Sequence, residues 1–112
     1  MKKNIFGIVI DNQSPEVIYK FYKELFSEVS KNFDKFYILD LTDLVLYKRK
    51  GVDITKGKSL FPKNFIYKKI SNAKNLELFL KDKRLIAINN LGKNPDYFCA
   101  LRCLKKNNVK LI

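Results

Sequence analysis

Histidine is absent from the 112 residues, and cysteine occurs only twice. Without imidazole there is no Ser-His-Asp or Cys-His nucleophile and no zinc site that depends on histidine. Two thiols, Cys99 and Cys103, are too few for a structural metal centre, so no metal is expected. They stand at i and i+4 on one helix face and read as small packing residues of a reducing compartment rather than a redox pair. Glycine is also scarce, at four residues. Gly7 lies inside an apolar run and Gly92 stands alone, so neither G-x-G-x-x-G nor a Walker A loop can be written. NAD, FAD and P-loop chemistry are therefore disfavoured, and no cofactor is expected. No apolar run approaches the ~18 residues of a membrane span. The basic-then-apolar start ends at Ile10, where Asp11 comes next without a small-residue cleavage site, so the chain is expected in the cytoplasm.

Arginine is the third scarcity. Only Arg49, Arg84 and Arg102 accompany the lysines in a chain of net charge +12. Lysine, asparagine and isoleucine together make up a large part of the sequence, a bias that an A/T-rich coding sequence produces by itself. Bidentate contacts to phosphate and guanine rest mainly on arginine. The dispersed lysines thus read as a solvated surface rather than a nucleic-acid footprint. A diffuse attraction to anionic lipid, and so a peripheral place at the inner membrane face, stays open.

What is present is a regular alternation of two periods. Residues 5–10 form a continuous apolar run rich in β-branched side chains, the mark of a strand buried on both faces in a parallel sheet. Ser14, Pro15 and Glu16 then supply a cap, a first-turn proline and an acid at the positive end of the helix dipole. Val17, Ile18, Phe21, Leu25, Phe26, Val29 and Phe33 recur at helical spacing and are expected to face the core. Truncating Phe21 or Leu25 is accordingly expected to cost what a core truncation costs. Residues 36–41 read as a second strand. Asp40 and Asp43 at its end can act as a base or cation ligand, or cap the next helix. Thr42 is expected to cap a short helix through Leu44, Val45 and Tyr47, ended by Gly51 and Gly57. Further strands are expected at 64–70, 84–88 and 109–112. A helix opened by Ser71 or Asn72 carries Leu76, Phe79 and Leu80. Another, opened by Asn94-Pro95-Asp96, buries Tyr97, Leu101 and Leu104.

Strands alternating with helices give parallel β-α-β units. The expected fold is one three-layer α/β domain over residues 1–112, a doubly wound, mostly parallel sheet of about five strands in order 3-2-1-4-5. In such sheets ligands bind beyond the carboxyl ends of the strands, where the connections reverse direction. That point lies between the first and fourth strands. The candidate ligand residues are therefore Asp11, Asn12, Gln13, Ser14, Asn89, Asn90 and Gly92, in two polar loops that each feed a helix N-terminus. Their amides offer the donors and acceptors that sugar hydroxyls need. Exposed loops and caps also favour Asn and Ser for their own reasons.

Residues 5–11, the helix after them and the 36–41 strand resemble the opening of GT-B glycosyltransferases. Residues 84–90 and the closing Val109-Lys110-Leu111-Ile112 are similar to later strands of that fold. The resemblance implies the acceptor-side, N-terminal domain of a bacterial sugar transferase, with surface polysaccharide as the suggested product. A sugar or lipid-linked sugar would be its acceptor, and a nucleotide sugar would enter only through a second domain. The fragment alone is then not expected to turn over substrate. The glycine-rich loop common after the first strand is replaced here by Asp11 to Ser14, and the acceptor-side histidine is missing, so no catalytic residue is carried over. The alternative is a stand-alone flavodoxin-like or receiver-like binding module. Asp11 offers a receiver one acid after the first strand, but Ile70-Ser71-Asn72 offers no phosphoacceptor after the third. Continuation of the gene beyond Ile112 separates the two expectations.

Overall fold

A computed structural model describes residues 2–11, 13–45, 60–91 and 97–112. Five parallel strands form one sheet, β1 (Lys3–Ile10), β2 (Phe36–Asp40), β3 (Phe65–Lys69), β4 (Lys83–Asn89) and β5 (Lys110–Leu111), in the order β3-β2-β1-β4-β5. The helices are α1 (Pro15–Asn32), α2 (Ala73–Phe79) and α3 (Phe98–Lys106), with a 3-10 turn at Thr42–Leu44 after β2. This is the doubly wound α/β architecture that the alternating periods predict.

The two faces of the sheet are covered separately. Ile8, Ile10 and Ile38 meet Ile18, Phe26 and Val29 of α1. Val9, Leu39, Leu85 and Ala87 meet Leu76 of α2 and Ala100 and Leu104 of α3. Successive strand residues alternate between these layers, as the two-residue period requires. From Ile5 onward β1 is thus apolar because both of its faces are covered. Gly7 is required at its position, since an added Cβ would collide with the Tyr37 carbonyl oxygen of β2.

Local chemistry accounts for the element ends. The Ser14 hydroxyl accepts from the Val17 N–H at 3.4 Å, Pro15 occupies the first turn, and Glu16 pairs with Lys20 at 3.1 Å. At the far end of α1 the Asn64 amide donates to the carbonyls of Ser30 and Phe33 at 3.2 and 2.7 Å, satisfying groups a helix terminus leaves unpaired. Asn72 caps α2 by accepting from the Asn75 N–H at 2.8 Å.

Several expectations need correction. The core face of α1 is Ile18, Tyr22, Phe26 and Val29, while Val17, Phe21 and Leu25 are 50%, 80% and 39% exposed. The two sets differ by one residue, or about 100° around the helix, and the helix is kinked at Tyr22. Phe21 and Leu25 therefore do not carry the core. Cys103 packs at the edge of its layer, but Cys99 is exposed and is not a packing residue. Thr42 is not a cap, because it is the first residue of the 3-10 turn, with Leu41 in the cap position, and its hydroxyl donates to Asp40. β5 is two residues long rather than four. Tyr47, Gly51 and Gly57 and the Asn94-Pro95-Asp96 helix start lie outside the described residues.

Candidate functional site

β1 and β4 are neighbours in register, with Val9 opposite Asn89, so the chain leaves both strands at one place. The Asn90 N–H donates to the Val9 carbonyl at 3.0 Å, which ties the loop after β4 to the end of β1. Asn89 turns its side-chain oxygen back to accept from the Leu91 N–H at 3.0 Å. The Asn90 side chain spans the junction. Its Nδ2 donates to Gln13 Oε1 at 2.8 Å, and its Oδ1 accepts from the Tyr22 hydroxyl at 2.7 Å. Asp11, the residue after β1, is buried. Thus Asp11, Gln13, Ser14, Asn89 and Asn90 are brought to one end of the sheet, while Asn12 and Gly92 lie outside the described residues.

Beside the Gln13–Asn90 pair is a cavity of about 130 Å³ lined by Gln13, Val17, Ile18, Phe21, Tyr22 and Asn90. Phe21 stands over it with its ring mostly exposed and packs edge-on against Tyr22, with ring centroids 5.1 Å apart. Val17, Phe21 and Tyr22 belong to this site, although the apolar spacing of Val17 and Phe21 assigned them to the core. Tyr22 bridges both roles, because its ring stacks on Phe26 and its hydroxyl holds Asn90. Among the described residues no carboxylate lines the cavity. Its chemistry is a fixed amide pair beside an aromatic surface.

The carboxyl end of β2 serves structure. Asp40, 1% exposed, accepts from the Thr42 N–H at 3.0 Å, from the Thr42 hydroxyl and from the Tyr67 hydroxyl. Burial, reinforced by Asp40, holds the Tyr67 phenol well above the usual tyrosine range. Asp43 pairs with Lys69 at 3.7 Å. These contacts fasten the turn after β2 to β3, so the two carboxylates act as caps and braces. Among the described residues no group of three potential metal ligands occurs.

A wider cleft of about 600 Å³ opens at the opposite, amino end of the strands, between Phe6, Phe33, Lys3, Lys35, Asp82 and Lys83. Lys83 and Asp82 pair there at 2.9 Å. The hydrogen bond from Lys83 holds the Asp82 carboxyl below the ordinary aspartate range. The charges of this cleft are mixed and partly neutralised by one another.

Fold and geometry together define a Rossmann-like α/β domain with a small cavity, lined by amide, aromatic and aliphatic side chains, at its switch point. Comparison of the chain with protein-family models, with curated proteins and with solved structures finds no match.

Proposed function

We propose that the chain binds a saccharide acceptor at the junction of β1, β4 and the first turns of α1, as the acceptor-side domain of a GT-B-type glycosyltransferase. The observation that carries this reading is the exposed Phe21 ring beside the Gln13–Asn90 amide pair. A pyranose presents two surfaces, a rim of hydroxyls that both donate and accept and a face of C–H groups. Carboxamides meet the first requirement because each holds a donor and an acceptor. An aromatic face meets the second, and a ring already exposed needs no rearrangement to receive it. Asn90 is held from both sides, so its orientation is set before a ligand arrives.

The cavity is well below the roughly 300–1,000 Å³ of a pocket for a drug-sized ligand, and suits one ring of a longer acceptor. A free sugar or a lipid-linked one fulfils this equally. These residues position the acceptor, and no proton-transfer role is assigned to them. A nucleotide-sugar donor would belong to a second domain.

The reading is tested by saturation-transfer NMR with neutral oligosaccharides and the 112-residue chain. Phe21→Ala is expected to weaken binding roughly tenfold, the equivalent of one lost aromatic contact of about 1.4 kcal/mol. Phe21→Tyr should bind like the parent. Equal transfer to the parent and to Phe21→Ala would contradict the assignment.

A further inference from the structure

The strand register sorts the side chains of β4 and β5 onto two unequal faces. Leu85 and Ala87 point into the layer of α2 and α3 and are both 1% exposed. Ile86 and Ile88, in register with Phe6 and Ile8, point to the α1 side and are only half-buried. Lys110 stands opposite Ile86, and Ile112, which continues that register beside Ile88, is 77% exposed on the same side. Among the described residues α1 is the one helix on this side, and it sits over β1, β2 and β3. Its flank bearing Tyr19 and Phe26 meets Phe61 and Phe65 on the β3 side. The other flank, with Val17, Phe21 and Leu25 spaced four residues apart, is turned toward β4 and the loop that follows it. The result is a trough, with α1 as its wall and the apolar surface of β4 and β5 as its floor.

Parallel sheets are covered on both faces, and the opposite face here carries two helices, α2 and α3. Strands about 4.8 Å apart give β4 and β5 together a width of about 10 Å, the diameter of one helix. The seven residues of β4 run about 23 Å, the length of about 15 helical residues. We propose that the trough takes an amphipathic helix of a partner protein, its apolar stripe resting on Leu25, Ile86, Ile88 and Ile112 and its flanks carrying acidic side chains. Helices recognised in this way anchor through residues one turn apart along one stripe. The acidic flanks follow from the charge of the floor. Among the described residues the charged side chains on this half of the face are Arg84 and Lys110, both exposed. A second copy fits less well, since self-pairing through one patch sets Arg84 and Lys110 against their own counterparts in chains of net charge +12. A lipid surface also fits less well. No helix among the described residues is long and apolar enough to cross a membrane, and the wall of α1, about 10 Å high, holds a flat bilayer off the floor. The proposal does not rest on the saccharide reading, because Ile86, Ile88 and Ile112 line no part of that cavity.

The test is an NMR titration of methyl-labelled chain with two synthetic helical peptides that share one leucine stripe and are flanked by glutamate or by lysine. The glutamate peptide is expected to bind and to shift the methyls of Leu25, Ile86, Ile88 and Ile112, and the lysine peptide to bind roughly tenfold more weakly. Ile112→Ala and Ile86→Thr, each with the fold intact by circular dichroism, should weaken the glutamate peptide roughly tenfold. Arg84→Gln with Lys110→Gln should largely abolish the difference between the two peptides. Leu78→Ala removes a side chain 57% exposed on α2, at the other face, and should change binding little. No binding of the glutamate peptide, equal binding of both peptides, shifts concentrated on Phe98 and Leu101 of α3, or an equal loss from Leu78→Ala would overturn the proposal. So would a dimer in sedimentation velocity that Ile112→Ala abolishes, which would make a second copy the occupant. Tighter binding to phosphatidylglycerol vesicles than to the glutamate peptide, lost in Ile112→Ala, would overturn it in favour of lipid.

Discussion

Phe26→Ala and Phe21→Ala truncate the same type of side chain in the same helix, five residues apart, and should differ widely in effect. Phe26 is fully buried, and its ring centroid lies 5.8, 6.1, 5.7 and 5.1 Å from those of Tyr22, Phe36, Phe61 and Phe65. Removing it leaves a cavity walled by four rings, three of them carried by α1, β2 and β3. Collapse is therefore limited, and the expected cost is roughly 3–5 kcal/mol. Against a total stability of about 5–15 kcal/mol for a domain of this kind, that is a large fraction. Phe21 is 80% exposed, so its truncation should fall within about 0.5 kcal/mol. Urea unfolding followed by far-UV circular dichroism measures both. With a slope of roughly 1–3 kcal/mol per molar urea, Phe26→Ala should lower the midpoint by about 2 M and Phe21→Ala should leave it unchanged. A comparable loss from Phe21→Ala, or a cost below about 1 kcal/mol for Phe26→Ala, would refute the packing described for α1.

Other substitutions probe the elements that place the site. Gly7→Ala forces a methyl against the Tyr37 carbonyl and should cost roughly 1–3 kcal/mol by thermal unfolding, with the spacing of β1 and β2 disturbed. Asn90→Ala removes the bonds to Gln13 and Tyr22 and should cost roughly 1–3 kcal/mol, while saccharide transfer falls with it. Tyr67 is raised by burial and by Asp40, so its contribution to stability is present below the ordinary tyrosine pKa of about 10 and is lost as pH climbs above it. In an absorbance titration of phenolate, one tyrosine of the folded parent should resist ionisation, and Tyr67→Phe should remove that resistant component.

The strand order was legible because each connection carried its own chemistry. Ser14-Pro15-Glu16 and Asn72 mark helix starts, and the unbroken apolar run of β1 requires cover on both faces. The switch-point rule then brought Gln13 and Asn90 together across 77 residues of sequence. The phase of α1 was less accessible. Apolar residues occur in adjacent pairs at 17–18, 21–22 and 25–26, so the apolar stripe is too broad for period alone to select its centre. Contact with Ile8, Ile10 and Ile38 selects 18, 22 and 26, which leaves Phe21 outside to form the aromatic side of the cavity. Tyr22 carries no separate signal as a site residue, because its ring satisfies the same spacing as Phe26 and only its hydroxyl distinguishes it. β5 is shorter than the 109–112 run suggests, because its ladder with β4 comprises Lys110 and Leu111, and Ile112 continues it only through backbone bonds to Ala87 and Asn89.

Occupation of the cavity between Phe21 and the Gln13–Asn90 pair by a saccharide is observed at closest range by amide chemical-shift mapping. Isotope-labelled protein is titrated with a neutral oligosaccharide, and the side-chain amides of Gln13 and Asn90 are followed with the backbone. Shifts are expected at Gln13, Val17, Phe21, Tyr22 and Asn90, with the Gln13 and Asn90 side-chain signals moving together because they are bonded to each other. Shifts concentrated instead at Lys3, Phe33, Lys35 and Lys83, at the amino end of the sheet, would contradict a saccharide site at the switch point.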